Sequence, residues 1–289
     1  MKDVNFVITD LDDTLWDWLE MWFNSFEPYF RRIQTELKLD EKELANAFKK
    51  LHQEYGTTEM SFAYQELPII DPLHYPLFQN SGVDKKSILH EYYSNKKHNL
   101  KLYEGVIETL KILKSKGVKI VAFTESYVFF TKYRLKHLGL DGLIDSIYSP
   151  MGSDVPLSVY KHYEEEFWDT KLTTIRPLAN DIRKPNPKIL RQILTDFGAE
   201  RDKAIYIGDK FDRDIYMAQQ ANITSVHAAY GQAINTEKYN LLVDVTHWTD
   251  EDVNRERAFK SKSIEVDPPD YIINKFSDLL NIFNYVEFE

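Results

Sequence analysis

Asp10 and Asp12 stand two residues apart in the run Thr9-Asp10-Leu11-Asp12-Asp13-Thr14. Along an extended chain such residues face the same way, so both carboxylates can address one ligand. The pair suits a hard cation held by oxygens, or a nucleophile beside an acid/base group. The plainer account is a solvated turn with a helix cap at Asp13 or Thr14. A second acidic group, Gly208-Asp209 followed by Asp212 and Asp214, has its own plain account as decoration of a helix N-terminus, worth roughly 0.3–1 kcal/mol per charge. That account is weak, because these acids beside another acidic strand end would repel one another unless a cation intervened. Lys184 precedes Pro185-Asn186-Pro187, which stiffen a loop and start a helix. Thr124 follows an apolar run. Taken singly, Lys184 is a surface charge and Thr124 a turn residue.

The segments before these residues share a grammar. Val4 to Ile8 is short, apolar and β-branched, and stops abruptly at the first acidic run. Val118 to Phe123, Ala204 to Ile207 and, more weakly, Thr224 to Ala229 read the same way. Between them lie helix-period segments at Glu104 to Lys116, Phe129 to His137, Pro187 to Phe197 and Asp212 to Gln220. Strand alternating with helix implies a parallel sheet covered on both faces, the α/β class with a Rossmann-like core. Ligands bind beyond the carboxyl ends of such strands. Asp10, Asp12, Thr124, Asp209 and Asp214 all fall at or just after those ends, so the sheet can bring them to one crevice.

Residues 15–100 break the alternation. Leu15, Leu19, Trp22, Phe23, Phe26 and Phe30 recur at helical steps, so this part is expected to be an all-helical domain inserted after the first strand. Trp16, Trp18, Trp22, Phe23 and Phe26 are read mainly as packing between its helices, and Arg31, Arg32 and His52 are its candidates for substrate contact. The remaining core then comprises residues 1–14 and 101–289. Within it, Pro150 to Asp181 is expected to be irregular and too long for an ordinary connection. Lys161, His162, Lys171 and Arg176 offer cations there, and Tyr160, Tyr163, Phe167 and Trp168 stacking surfaces. The chain closes with an expected helix, Tyr271 to Phe283.

Composition narrows the function. With 289 residues, 43% hydrophobic and 14% aromatic, the chain can fill a large domain and a smaller partner. A formal net charge of -10 argues against binding nucleic acid or anionic membranes, which needs clustered Lys and Arg. A small ligand is the better expectation. With no cysteine, any metal sits on oxygen or imidazole. No apolar run approaches the roughly 20 residues of a membrane span, and Asp10 interrupts the start before a signal-peptide core can form. The expected location is the cytoplasm.

In order and position, the four polar segments resemble the motifs of the haloacid dehalogenase superfamily. Asp10-Leu11-Asp12-Asp13-Thr14 matches Asp-x-Asp-x-Thr, Thr124 the hydroxyl after a strand, Lys184 the lysine before proline, and Gly208-Asp209 with Asp214 the acidic fourth motif. The resemblance covers Phe6 to Thr14, Tyr103 to Tyr148 and Arg183 to about Gly231, and residues 15–100 stand where the superfamily places its type-one cap. It implies an Mg2+-dependent phosphatase acting on a small phosphorylated metabolite. In that reading Asp10 attacks phosphorus and becomes an aspartyl-phosphate, while Asp12 protonates the leaving oxygen and then activates water. Thr124 and Lys184 hold the phosphoryl group. Mg2+ is held by the Asp10 carboxylate, the Asp12 backbone carbonyl and Asp209, with Asp214 in support. Spacing alone leaves open which of Asp212 and Asp214 is nearer the metal; the family pattern favours Asp214. The dehalogenases of the superfamily lack the second acid of the first motif, so Asp12 favours phosphatase. A phosphomutase or phosphotransferase is the alternative, and from another class a non-catalytic ligand-binding protein on the same fold. Glu125 departs from the Asn common after the second-motif Thr, and is expected to point away from the phosphate or to meet a positive or hydroxyl-bearing part of the substrate.

Overall fold

A computed structural model describes the whole chain except residues 61, 80–86, 153–164, 233–235, 252, 255–257 and 259–266. It begins with strand β1, Lys2–Val4, and strand β2, Phe6–Thr9, whose four residues are all buried. The helical region follows: α1 Trp18–Leu37, α2 Glu41–Tyr55, the short α3 Ala63–Glu66 and α4 Tyr75–Phe78, and α5 Ile88–Asn99. Asp17, Asp40 and Ser87 cap α1, α2 and α5 by accepting backbone N–H groups that the first turn leaves unpaired. The chain then alternates through α6 Val106–Ser115, β3 Lys119–Phe123, α7 Val128–Leu138, β4 Ser146–Pro150, β5 Thr174–Leu178, α8 Pro187–Phe197, β6 Ala204–Gly208, α9 Tyr216–Ala221 and β7 Thr224–Ala228. Helix α10, Thr236–Val245, and strands β8, Tyr271–Ile273, and β9, Phe283–Tyr285, complete it.

Seven strands form one parallel sheet in the order β5-β4-β3-β2-β6-β7-β8, while β1 pairs with β9 apart from it. This is the α/β, Rossmann-like core expected from the alternation. Period-two side chains divide its packing. Val7, Ile120, Ile205 and Ile207 bury on one face with Val106, Leu110 and Leu113 of α6. Phe6, Ile8, Val121 and Tyr206 bury on the other with Leu190 and Ile193 of α8 and Met217 of α9. Helices therefore cover both faces, and the polar residues that end β2, β3 and β6 can gather only at one edge. The Asp10 amide donates to the Ile207 carbonyl at 2.8 Å, holding the ends of β2 and β6 side by side.

A separate apolar cluster joins the inserted helices, with Trp22, Phe26 and Phe30 of α1 packed against Phe48, Leu51 and Tyr92. Leu242 and Val245 of α10 bury in the same cluster, so residues far beyond the insertion help to build its core. No helix among the described residues is long and apolar enough to cross a membrane.

Three expectations differ from the structure. The segment 150–181, expected to be irregular, contains β5, which lies at the sheet edge, buries none of its residues fully and carries Pro177. A proline that cannot donate to a ladder is tolerated at an edge, and so little burial leaves no apolar pattern to read. The expected helix Tyr271 to Phe283 is instead β8, a turn at Phe276–Asp278, the short helix Leu279–Ile282 and β9. Tyr271-Ile272-Ile273 is β-branched and aromatic enough to extend the sheet beside β7. The helix expected from Asp212 opens as a wider π-type turn over Phe211–Ile215 before α9 begins, a local form that recurs at functional sites.

Candidate active site

The strand ends meet as their sequence positions require. Asp10 follows β2, Thr124 follows β3, and Asp209 follows β6; Lys184 enters from the loop before α8. Lys184 Nζ lies 2.5 Å from Asp10 Oδ1 and 2.8 Å from Asp214 Oδ1, joining the first, third and fourth segments through one ammonium group. Asp214 also accepts from the Tyr206 hydroxyl at 2.7 Å and from the Lys210 amide at 3.1 Å, so both of its oxygens are partnered. It reaches this position because residue 208 is glycine: a Cβ there would lie 2.4 Å from the Asp214 side chain. Carboxylate oxygens of Asp10, Asp209 and Asp214 lie within 4.8 Å of one another. Asp212 is buried nearby but outside that group.

Electrostatics marks this cluster as short of positive charge. Burial pushes Asp10 well above the usual carboxylate range; Lys184 opposes the shift, and Asp214 and Asp209 add to it. Burial likewise raises Asp209 to about 8, with Asp13 and Asp214 contributing against Lys210, whose ammonium is 3.0 Å from Asp209 Oδ2. Asp214 alone is lowered, because Lys184, Tyr206 and the Lys210 amide outweigh its burial. A compact set of carboxylate oxygens with too little countercharge, and no sulfur or imidazole among them, fits a hard divalent cation such as Mg2+.

Asp12 faces a different environment. Its Oδ1 accepts from Trp16 Nε1 at 2.6 Å and lies 3.2 Å from Arg134 Nη1. Burial still raises it above the usual range, with Arg134 opposing. Asp13 adopts a left-handed backbone, φ 59°, which Asp tolerates better than most residues. Its Oδ1 accepts the Leu19 amide at 3.0 Å, fixing the start of α1. Gly231 lies hard against its carbonyl: a Cβ at 231 would sit 1.7 Å from Asp13 O. Thr124 is buried, and its hydroxyl accepts the Ser126 amide at 3.0 Å.

Glu125 turns toward the Arg213 guanidinium and the Lys184 backbone. Its Oε1 accepts the Lys184 amide at 3.2 Å and its Oε2 meets Arg213 Nη1 at 2.8 Å. It therefore ties the loops of the second, third and fourth segments together.

All six residues singled out in the sequence, Asp10, Asp12, Thr124, Lys184, Asp209 and Asp214, line one cavity of about 150 Å3. Its opposite wall includes Trp18, Gly56, Thr58 and Glu59 from the helical region and Leu242, His247 and Trp248 from the C-terminal part. Arg31 and Arg32 lie elsewhere, in ion pairs with Glu27 and Glu41 and with Glu36 and Glu91. His52 is packed in the helical core, its Nδ1 2.6 Å from the Val245 carbonyl, and burial lowers it to about 4. Of the expected contacts in the segment 150–181, Lys171, Arg176, Phe167 and Trp168 do not line the cavity. Tyr160, Lys161, His162 and Tyr163 lie outside the described residues.

Sequence reasoning missed Glu59, Arg134 and Trp248. Glu59 stands in the short Gly56-Thr57-Thr58-Glu59 run, where an acid reads as solvated. Arg134 sits among the mixed polar and apolar residues of α7 and is fully buried, with no pattern that separates it from a surface arginine.

Comparison with known proteins matches residues 4–222 to the haloacid dehalogenase-like hydrolases. The chain is 24% identical over 243 residues to glyceraldehyde 3-phosphate phosphatase of Methanopyrus kandleri, covering 81% of this chain and 88% of that one. It is 24% identical over 290 aligned positions to pyrophosphatase PpaX of Halalkalibacterium halodurans, covering 97% of both. In fold it is similar to YfnB from Bacillus subtilis, solved with bound magnesium, at a TM-score of 0.51 and 14% identity over 98% of this chain and 100% of that one.

Proposed function

The chain belongs to the haloacid dehalogenase-like hydrolases, and within that family we propose that it is a Mg2+-dependent phosphatase that hydrolyses a small phosphorylated metabolite in the cytoplasm. The observation that carries this reading is the convergence of Asp10, Asp209 and Asp214 around Lys184 at the carboxyl edge of the sheet. The phosphatases among its relatives support it.

Phosphoryl transfer asks chiefly for positioning and for neutralised charge. An Asp10 carboxylate oxygen forms a bond to phosphorus while the bond from phosphorus to the ester oxygen breaks, leaving an acyl phosphate on Asp10. Asp12 gives its proton to the departing oxygen, so an alcohol leaves. Asp12, now ionised, takes a proton from a water molecule whose oxygen attacks the same phosphorus; the bond to Asp10 breaks, and inorganic phosphate is released. Lys184 holds Asp10 in place and offsets negative charge as the two anions approach. Thr124 is assigned a hydrogen bond to a phosphoryl oxygen that is not transferred. Mg2+ would be held by the Asp10 and Asp209 carboxylates and the Asp12 carbonyl, with Asp214 steadying Lys184 and the loop, and when bound it lowers the electrostatic cost of bringing phosphate to a carboxylate.

The helical cap is assigned to residues 15–100 together with α10, because Leu242 and Val245 share its core. It closes the far side of the cavity, excludes water and contacts the leaving group.

Purified protein assayed against a panel of phosphorylated metabolites, with and without Mg2+, tests the reading. Asp10→Asn is expected to lower turnover by roughly a thousandfold or more, as removal of a covalent nucleophile does elsewhere, while leaving the thermal unfolding cooperative. Activity within tenfold of the parent removes Asp10 from the role of nucleophile.

A further inference from the structure

Arg134 projects from α7 of the core and is fully buried, yet three polar groups surround it. Asp12 Oδ1 lies 3.2 Å from its Nη1, which also donates to the Ser126 hydroxyl. Its Nη2 donates to Glu59 Oε1. Glu59 belongs to the cap, on the loop after α2, and is itself buried. Lys96 of α5 meets its other oxygen at 2.6 Å, and Trp18 Nε1 donates to Oε1 at 3.0 Å. One continuous line of charges, half-buried at Asp12 and buried beyond it, thus runs from Asp12 in the core, through Arg134 and Glu59, to Lys96 in the cap.

We infer that Arg134 and Glu59 are positioning residues that couple closure of the cap to the placement of Asp12 against the leaving-group oxygen. A guanidinium is a planar fork with fixed donor directions, so holding one arm fixes where the other points. Glu59 holds one arm from the cap side, and Asp12 is met by the other. When the cap withdraws, Glu59 leaves with it, and a buried arginine is left with half its partners, a state that burial penalises. The closed cap and a correctly seated Asp12 are therefore one arrangement. Glu59 and Asp12 also line the same cavity, so the contact forms where the leaving group must sit.

The inference rests on the reading of Asp12 as proton donor, and its test separates the two. Phenyl phosphate and p-nitrophenyl phosphate differ in how much their leaving oxygen needs a proton, and kcat/KM reports the step in which that oxygen departs. With the parent, Glu59→Gln, Arg134→Lys and Asp12→Asn assayed on both esters with Mg2+, the two positioning variants should lose roughly ten- to a hundredfold on phenyl phosphate, a fraction of what a general acid contributes. Their loss on p-nitrophenyl phosphate should be at most about threefold, and Asp12→Asn should move the ratio in the same direction and further. Equal losses on both esters in Glu59→Gln and Arg134→Lys, beside a shifted ratio in Asp12→Asn, overturn the inference and leave Asp12 in its role. An unshifted ratio in Asp12→Asn overturns the role of Asp12 and the inference with it. If Arg134→Lys fails to fold, as judged by its unfolding transition, the near-isosteric Glu59→Gln decides alone.

Discussion

Two buried groups of charges lie on either side of the same cavity and are built on opposite plans. On the sheet side Asp10, Asp209 and Asp214 share Lys184 and Lys210, and burial leaves Asp10 and Asp209 easier to protonate than ordinary carboxylates. Across the junction between core and cap, Asp12 and Glu59 are matched by Arg134 and Lys96. There burial also works to raise Glu59, but Arg134 and Lys96 outweigh it and bring the carboxyl down to about 2. The buried carboxyls of Asp10 and Asp209 are thus pushed up and that of Glu59 down by the charges beside them, while one member of each group goes the other way: Lys184 lowers Asp214, and burial still raises Asp12. The first group has the composition that suits a cation; in the second, Glu59 is already matched by Arg134 and Lys96.

The contrast is broken most severely at Lys184. Replacing it with Met removes the cation that both Asp10 and Asp214 depend on, and unpairing a buried charge in this way costs about 3–5 kcal/mol. The loss should appear as a lower urea midpoint in metal-free protein and should grow as pH rises, since Asp10 can relieve it by taking a proton.

The balanced group is probed by acid. Glu59 has a folded pKa below its unfolded value, so its stabilisation is fully present above about pH 4.5 and is lost as pH falls toward about 2. At 1.36 kcal/mol per unit this amounts to about 3 kcal/mol. Glu59→Gln should be less stable than the parent at pH 7, and the gap should narrow between pH 4.5 and pH 2 in urea titrations at each pH. A gap that stays constant over that window would mean that the Glu59 carboxylate is not held by Arg134 and Lys96.

A smaller effect sharpens the difference between the groups. Mg2+ at a hundredfold excess over its Kd should stabilise the protein by about 2.7 kcal/mol, read as a rise in Tm. Asp209→Asn should lose most of that rise, whereas Glu59→Gln should keep it. Equal loss in both variants would place the cation between the two groups and end the distinction.

The sheet was legible where strands stop abruptly. Val4 to Ile8 and Ala204 to Ile207 each pass from apolar to acidic across a single intervening residue, which puts Asp10 and Asp209 at strand ends able to share one crevice; that their strands are neighbours is seen only in the sheet. Buried parallel strands carry that signal because both of their faces are covered. Thr174–Leu178 carries none, since an exposed edge strand with Pro177 has neither burial nor alternation. Helix α10 is not legible because its apolar residues serve the cap and their partners are almost two hundred positions away: the Val245 carbonyl meets His52 Nδ1 across 193 residues. Arg134 was illegible for a related reason. Its meaning comes from Asp12 and Glu59, and nothing within α7 records that either will be there.

The cap leaves and rejoins the core at one place. Trp16 pairs with Leu102, the Asp17 amide donates to the Lys101 carbonyl and the Tyr103 amide to the Leu15 carbonyl, so the outgoing and returning strands run together as an axle. A body mounted on one axle can swing. Helix α10, however, reaches the same helices from a different part of the core, beyond Gly231, and is fastened to α2 where His52 meets Val245. In mechanical terms this is a brace, a second attachment set away from the axle. A stretch that carries none of the four motifs thereby helps to hold the helices that wall the cavity over them.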